Sequence, residues 1–276
     1  MRLYALCVYV FLYTPIAIIA LFSFSAGRSA SQFEGFSTRW YDRAISNPFV
    51  MDALGNSLFV AFISATLASV LGTLCAVGLQ GIRGPVRAIF DALIYIAVMI
   101  PGIVIGIATL IALVTVFDVL NPWIASFWAE AEAAPRLSMG MGSLIAAHTM
   151  FTLALVVIIV RARLSTLETA LTEASADLYA TPLGTFRQVT LPLIAPAVLA
   201  GFLLSFTFSF DDFIIAFFVA GSETTLPIYV FSSIRRGVTP EVNAIGTMVM
   251  LASLVLLVIA QLILRRGDRR TRRGGP

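Results

Sequence analysis

Six stretches of this chain are apolar enough and long enough to cross a lipid bilayer, and few folds survive that constraint. A hydrocarbon core is about 30 Å thick and a helix rises about 1.5 Å per residue, so a crossing helix takes roughly 20 apolar residues. Residues 3–24, 54–79, 88–117, 141–160, 193–220 and 242–264 each reach that length. The rest of the composition agrees. Hydrophobic residues make up 59% and charged residues 12% of the 276, against about 45–50% and about 25% in soluble domains. These values leave too little charge to cover a water-soluble enzyme and too much apolar content for a disordered chain. The expected fold class is all-α, a polytopic membrane protein with six transmembrane helices.

The first stretch follows Arg2 and is longer than the roughly 7–15 apolar residues of a signal-peptide core, so it is expected to stay as the first span. Orientation is read from arginine, since the chain has no lysine. Arg2, Arg83, Arg87, Arg161, Arg163, Arg187 and the six arginines of the tail at 265–276 fall on one side of the spans. Arg28, Arg39, Arg43, Arg136, Arg235 and Arg236 fall on the other. The richer side is expected to be cytoplasmic, which puts both termini there. The tail directly follows an apolar span, so it reads as a topology anchor rather than a nucleic-acid arm. Cys7 and Cys75 both lie in apolar runs and give neither a disulfide framework nor a metal site. No soluble domain is found. Trp40, Tyr41, Trp123, Phe127 and Trp128 sit in outer connections, where aromatic rings usually mark the membrane interface. A ligand-stacking role for these rings is the alternative, with Trp40 as a substrate-path candidate.

The inner connection 161–192 carries the most information. Ser165 followed by Glu168 reads as a capping box that starts a short helix. Leu167, Leu171, Ala174 and Leu178 then recur at helical spacing. Thr181 and Pro182 read as the cap and first position of a second short helix, ending near Thr190 before Leu191-Pro192. Glu173 and Asp177 lie four residues apart, a like-charge pair that destabilises a helix by a few tenths of a kcal/mol. Arg187 or a basic groove on a partner would compensate it; an ordinary solvated face is the plainer reading.

These residues carry a family resemblance. Glu173-Ala174-Ser175, three residues, Tyr179, nine residues, then Val189-Thr190-Leu191-Pro192 resembles the EAA loop of ABC-importer permeases. That motif is Glu-Ala-Ala, three residues, Gly, nine residues, Ile, any residue, Leu-Pro. Tyr179 in place of Gly is the main departure. A bend that only glycine tolerates would strain it, unless Thr181-Pro182 makes the bend instead. Further pieces are similar to the spermidine/putrescine-type permeases: Phe36 to Tyr41, Asn56-Ser57-Leu58, Gly72-Thr73, Ile100 to Gly106, His148, Leu204 to Phe213, Thr225-Leu226-Pro227 and Asn243-Ala244-Ile245.

The resemblance implies a type I importer permease subunit of a bacterial inner membrane, one transmembrane domain over 1–276. It implies a second permease chain of different sequence, two ATPase subunits beneath and an external binding protein that delivers the substrate. ATP and Mg would sit on the ATPases, and this chain would carry no cofactor and no catalytic residue; it has no Gly-rich lysine loop. Glu173, Ala174, Ser175, Asp177, Tyr179, Leu191 and Pro192 would form the coupling segment. Polyamine is the expected cargo, with iron, sulfate, molybdate and other small solutes carried by related branches.

Polar residues within the spans bear on the path. Asp211 and Asp212 sit about 27 Å along the fifth stretch, where acidic side chains are costly and point to function. They read either as groups facing a cationic substrate or as a helix end with one Asp capping. Neighbouring helical residues point about 100° apart, so both cannot line one path equally. His148 reads as a hydrogen-bonded packing residue, with a substrate-path role as the alternative. An ion-coupled secondary transporter would need no ATPase and would use Asp211 for coupling; the EAA spacing argues against it. An intramembrane enzyme would need a nucleophile–base pair or metal cluster that a single His does not supply.

Overall fold

The computed structural model describes residues 2–29, 32–128, 130 and 133–255. The basic tail, Glu132 and the last part of the sixth expected span lie outside the described residues. The described chain is helical, and its one β feature is an isolated bridge between Ser25 and Phe36. It divides into two compact units, one of Met1–Ala53 with Tyr229–Pro276 and one of Leu54–Ile228.

The first unit holds α1 (Arg2–Phe22), α2 (Arg39–Ser46) and α12 (Pro240–Val255). Trp40 fixes the turn after α1: it is 5% exposed and its indole Nε1 donates to Ser25 O at 2.8 Å. Ser23 Oγ and Tyr41 Oη share a hydrogen bond of 2.6 Å, and the rings of Phe24 and Phe36 stack at 5.1 Å. Arg43 pairs with Glu241 at 3.2 Å, and Asn47 Nδ2 donates to the same carboxylate at 3.1 Å. Asn47 Oδ1 also accepts from Phe49 N, which starts α3 (Pro48–Gly78) with proline in its first turn, six residues ahead of the expected span.

The second unit packs around α6 (Met141–Leu164), which lies against α4 (Pro85–Met99), α5 (Gly102–Ala125), α9 (Leu191–Asp211) and α10 (Ile214–Val219). The expected third span is two helices. Ile100 is extended because the ring of Pro101 disfavours helix in the residue before it, and Pro101 becomes the N-cap of α5. The expected fifth span also breaks: α9 ends at Asp211, Asp212 is extended, and α10 follows as a separate short helix. One buried cluster joins Ala76, Leu79, Ile94, Val157, Val160 and Ile194; another joins Val60, Leu144, Ala147, Ile215, Ala216 and Val219. α2 and α11 (Leu226–Arg236) had no span-length signal and appear as short helices in the connections.

Three helices converge on Val156 of α6, which is fully buried. A Cβ on Gly72 of α3 would lie 2.8 Å from Val156 Cβ, and one on Gly201 of α9 would lie 3.3 Å from its Cγ1. Small residues let helices in a membrane approach this closely. Gly72→Ala is therefore expected to destabilise the detergent-solubilised chain by about 1–3 kcal/mol through overpacking. Gly55→Ala, on the same helix with nothing within 4 Å, is expected to be neutral or slightly stabilising. Thermal unfolding of the two variants side by side checks this, and equal midpoints would refute it.

Candidate functional site: a helix break and a kinked loop

The break between α9 and α10 gathers three of the polar residues singled out above, His148, Asp211 and Asp212, and adds Ser209. His148 on α6 is 2% exposed, and its Nδ1 shares a hydrogen bond of 2.7 Å with Ser209 Oγ on α9. Its Nε2 faces Asp212 Oδ2 at 3.6 Å and has no hydrogen-bond partner. The same Asp212 oxygen accepts from Ala216 N at 3.0 Å and so caps the first turn of α10. Asp212 is thus committed to the chain's own backbone. Asp211, the last residue of α9, is exposed. Both carboxylates border an open hollow walled by Phe151, Thr207, Phe208, Phe213 and Ile214.

The two readings of this acidic pair therefore divide between its members, Asp212 as the cap and Asp211 as the free group. Phe151 and Phe208 meet edge-on at 6.2 Å beside it. Phe202, Phe206 and Phe210 instead stack along the next face of α9 at 6.4 and 6.1 Å, with Phe62 edge-on to Phe202. Trp40, the other path candidate, is buried in the first unit, with Arg39 Cζ 4.6 Å from its ring centroid.

The loop after α6 differs from its sequence reading at the start. α6 runs to Leu164 and Ser165 closes it, its hydroxyl donating to Ala162 O at 2.9 Å. The hydroxyl is used by the helix it follows, so there is no capping box. α7 (Thr169–Asp177) begins after Glu168 without a side-chain cap. Leu167 packs on the core, whereas Leu171 and Leu178 are exposed.

α7 ends in a Schellman arrangement: Ala180 N donates to Ser175 O at 3.1 Å and Tyr179 N to Ala176 O at 2.9 Å. The residue between must be left-handed, and Tyr179 has φ +59. So the bend falls on Tyr179, at the family's glycine position, rather than on Thr181-Pro182. Those two residues do what their order implies: Thr181 Oγ1 accepts from Gly184 N at 3.2 Å and Pro182 opens α8 (Pro182–Thr185). Ser175 Oγ and Thr185 Oγ1 share a bond of 2.9 Å that fastens α7 to α8.

The second short helix does not stop near Thr190. Pro192 has no N–H to give and its ring needs room beside the preceding turn. The helix answers with a π turn over Phe186–Thr190, in which Leu191 N bonds Phe186 O. Helix then continues without interruption over the 30 residues Pro182–Asp211. Glu173 and Asp177 are exposed, and no salt bridge among the described residues joins either to Arg187. Among the described residues, then, no intrachain ion pair balances them.

At the foot of this loop Arg161 on α6 is ion-paired with Asp91 on α4, and Arg87 approaches the same carboxylate at 3.8 Å. Arg163 Nε donates to Leu193 O at 3.1 Å, tying α6 to α9. The Arg87–Asp91 spacing of four was the available signal; Arg161 is 70 residues away and had none.

The chain is similar to known proteins in sequence and in fold. The family model described as "Binding-protein-dependent transport system inner membrane component" matches residues 68–273. The spermidine/putrescine transport system permease protein PotC of Haemophilus influenzae is 36% identical over 262 residues, covering 95% of this chain and 95% of that one. The putrescine transport system permease protein PotI of Escherichia coli is 35% identical over 268 residues, covering 95% and 89%. Among solved structures, a bacterial ABC transporter involved in the import of the acidic polysaccharide alginate gives a TM-score of 0.74 at 15% identity, covering 96% and 95%. The fold is that of an ABC-importer transmembrane subunit.

Two buried serines one turn apart on α9 separate paired from unpaired hydroxyls. Ser209→Ala removes the partner of His148 Nδ1 and is expected to lower stability by about 0.5–2 kcal/mol. Ser205 Oγ has no partner, so Ser205→Ala is expected to leave stability unchanged or raise it. Unfolding midpoints in detergent read the difference; an equal loss in both would contradict the assigned bond.

Proposed function

The chain belongs to the family of inner membrane components of binding-protein-dependent transport systems, and from that premise we propose that it carries a polyamine-type cation. As a member it is a permease subunit of an ATP-driven importer in the inner membrane, not an enzyme. The observation that carries the substrate reading is the exposed carboxylate of Asp211 in a hollow walled by phenylalanine rings. An alkylammonium group is matched by both features, through charge and through cation–π attraction. The relatives PotC and PotI are named for spermidine and putrescine, which supports the same reading. The fold by itself does not decide the charge of the cargo, because it also serves a transporter of an acidic polysaccharide. The carboxylate favours a cation, since an anionic solute would be repelled from the hollow.

In this proposal the segment around Glu173 docks on an ATPase subunit at the cytoplasmic face, with both termini on that side. Two ATPase subunits, holding ATP and Mg, work with this chain, a second permease of different sequence and an external binding protein. The unbalanced Glu173 and Asp177 then meet a basic surface on the ATPase. Closure of the ATPases shifts the coupling helices and rocks the bundle between inward and outward openings. Trp40 serves the first unit's packing, and His148 supports the path by holding α6 to α9 at the break.

Two measurements test this. Uptake of labelled spermidine and putrescine, in cells whose only polyamine importer contains this chain, is expected to require the chain and ATP. Asp211→Asn should lower uptake at least about tenfold at unchanged membrane level, the size of losing a charge-assisted contact. Undiminished uptake would exclude Asp211 from the path. Separately, Glu173→Arg is expected to abolish uptake while the chain remains inserted and folded, since a reversed charge meets a basic surface; wild-type transport by that variant would sink the coupling assignment.

A further inference from the structure

Tyr179 is the only residue other than glycine with positive φ among the described residues, at +59, and it is also 97% exposed. A left-handed conformation is unfavourable by roughly 1–2 kcal/mol for a residue with a Cβ, and glycine would adopt it freely. The Schellman bonds hold the backbone of that turn, but the ring itself adds no packing among the described residues to offset the strain. Strain held at an exposed position points to a role outside the chain. The neighbours share the pattern: Leu178 is 81% and Leu183 75% exposed, and Leu171 opens on the same stripe of α7. The knob is nevertheless held firmly. The Schellman bonds fix the backbone at Tyr179, and the Ser175–Thr185 bond fixes α7 on α8.

From these observations we propose that Tyr179 is the anchoring side chain by which this permease engages its ATPase subunit, filling an apolar pocket on that partner. The proposal rests on the coupling role given above to the segment around Glu173. The ring is open to a partner at 97% exposure, and Leu178 and Leu183 on the same loop are exposed as well. Rigid tyrosines with an apolar body and a polar tip are frequent interface anchors. Charge selects the occupant. The ring shares its loop with the exposed Glu173 and Asp177, which have no ion pair among the described residues and which an anionic lipid surface would repel and a basic protein groove would attract. A partner built for a glycine at this turn has no need of such a pocket, so Tyr179 also discriminates among ATPase subunits.

The test turns on effects of opposite sign. Tyr179→Gly relieves the strained turn, so the unfolding midpoint of the permease in nanodiscs is expected to stay level or rise. Its affinity for the purified ATPase subunit is expected to fall about tenfold or more, the scale of truncating an aromatic anchor. Tyr179→Phe should keep affinity within about twofold, since the ring body supplies most of the burial. Tyr179→Cys should react with a membrane-impermeant maleimide in ATPase-free nanodiscs and be protected once the ATPase is added. Unchanged affinity of Tyr179→Gly overturns the proposal, as does a thiol protected without the ATPase, which would place the ring in the lipid interface. Glu173→Arg in the same binding assay separates the two levels. Loss with Glu173→Arg alone removes the anchor and leaves the coupling segment standing. Loss with neither variant removes both.

Discussion

Inside a hydrocarbon layer a backbone N–H or C=O has no water to bond, and every other feature of this structure depends on how that demand is met. Helix satisfies the demand locally, which is why the described parts of the long apolar stretches are mostly helical. The instructive places are those where the helical ladder stops within or beside an apolar stretch. Each has its own compensation. At Pro101 the missing donor coincides with a helix start, where the N–H would have no partner anyway. At Asp212 the carboxylate takes the place of a backbone carbonyl and bonds Ala216 N. At Phe186–Thr190 the ladder widens by one residue to admit Pro192. At Tyr179 a Schellman pair closes α7.

This accounting explains why two adjacent acids behave differently. Asp212 is held by a backbone donor and faces His148, which Ser209 orients from the other side. Removing Asp212 from the hollow's chemistry leaves Asp211 as its free negative charge. The break thus does two jobs with one dipeptide: the second residue stabilises the interruption, and the interruption exposes the first.

Much of this was legible from residues whose signals are local. Apolar length marked the spans, and Thr181-Pro182 marked a helix start. Asp211 and Asp212 read as a cap and a cation-facing group before either role could be assigned. The failures have a common cause, which is competition settled by a neighbour. Ser165 has the sequence of an N-cap, but the last turn of α6 reaches it first and takes its hydroxyl. Leu191-Pro192 has the sequence of a stop, but a π turn relieves it, and no local pattern announces such a turn. The bond between Arg161 and Asp91 joins residues far apart in the chain, each unremarkable in its own window.

The π turn has a mechanical consequence. Had the second short helix stopped before Pro192, a flexible joint would separate the loop from the fifth span. Instead one helix of 30 residues, about 45 Å long, runs from the Thr181 cap to Asp211. At one end it is fastened through Ser175 and Thr185 to α7, and near the start of the span Arg163 holds Leu193 O. At the other end it carries the carboxylate that meets the hollow. A displacement of α7 therefore reaches Asp211 through continuous helix rather than through a chain of side-chain contacts. The tie at Leu193 supplies a pivot between the two ends. Under the proposed function, coupling between a partner at the loop and a solute at the break would require only that this rod tilt about its attachment to α6.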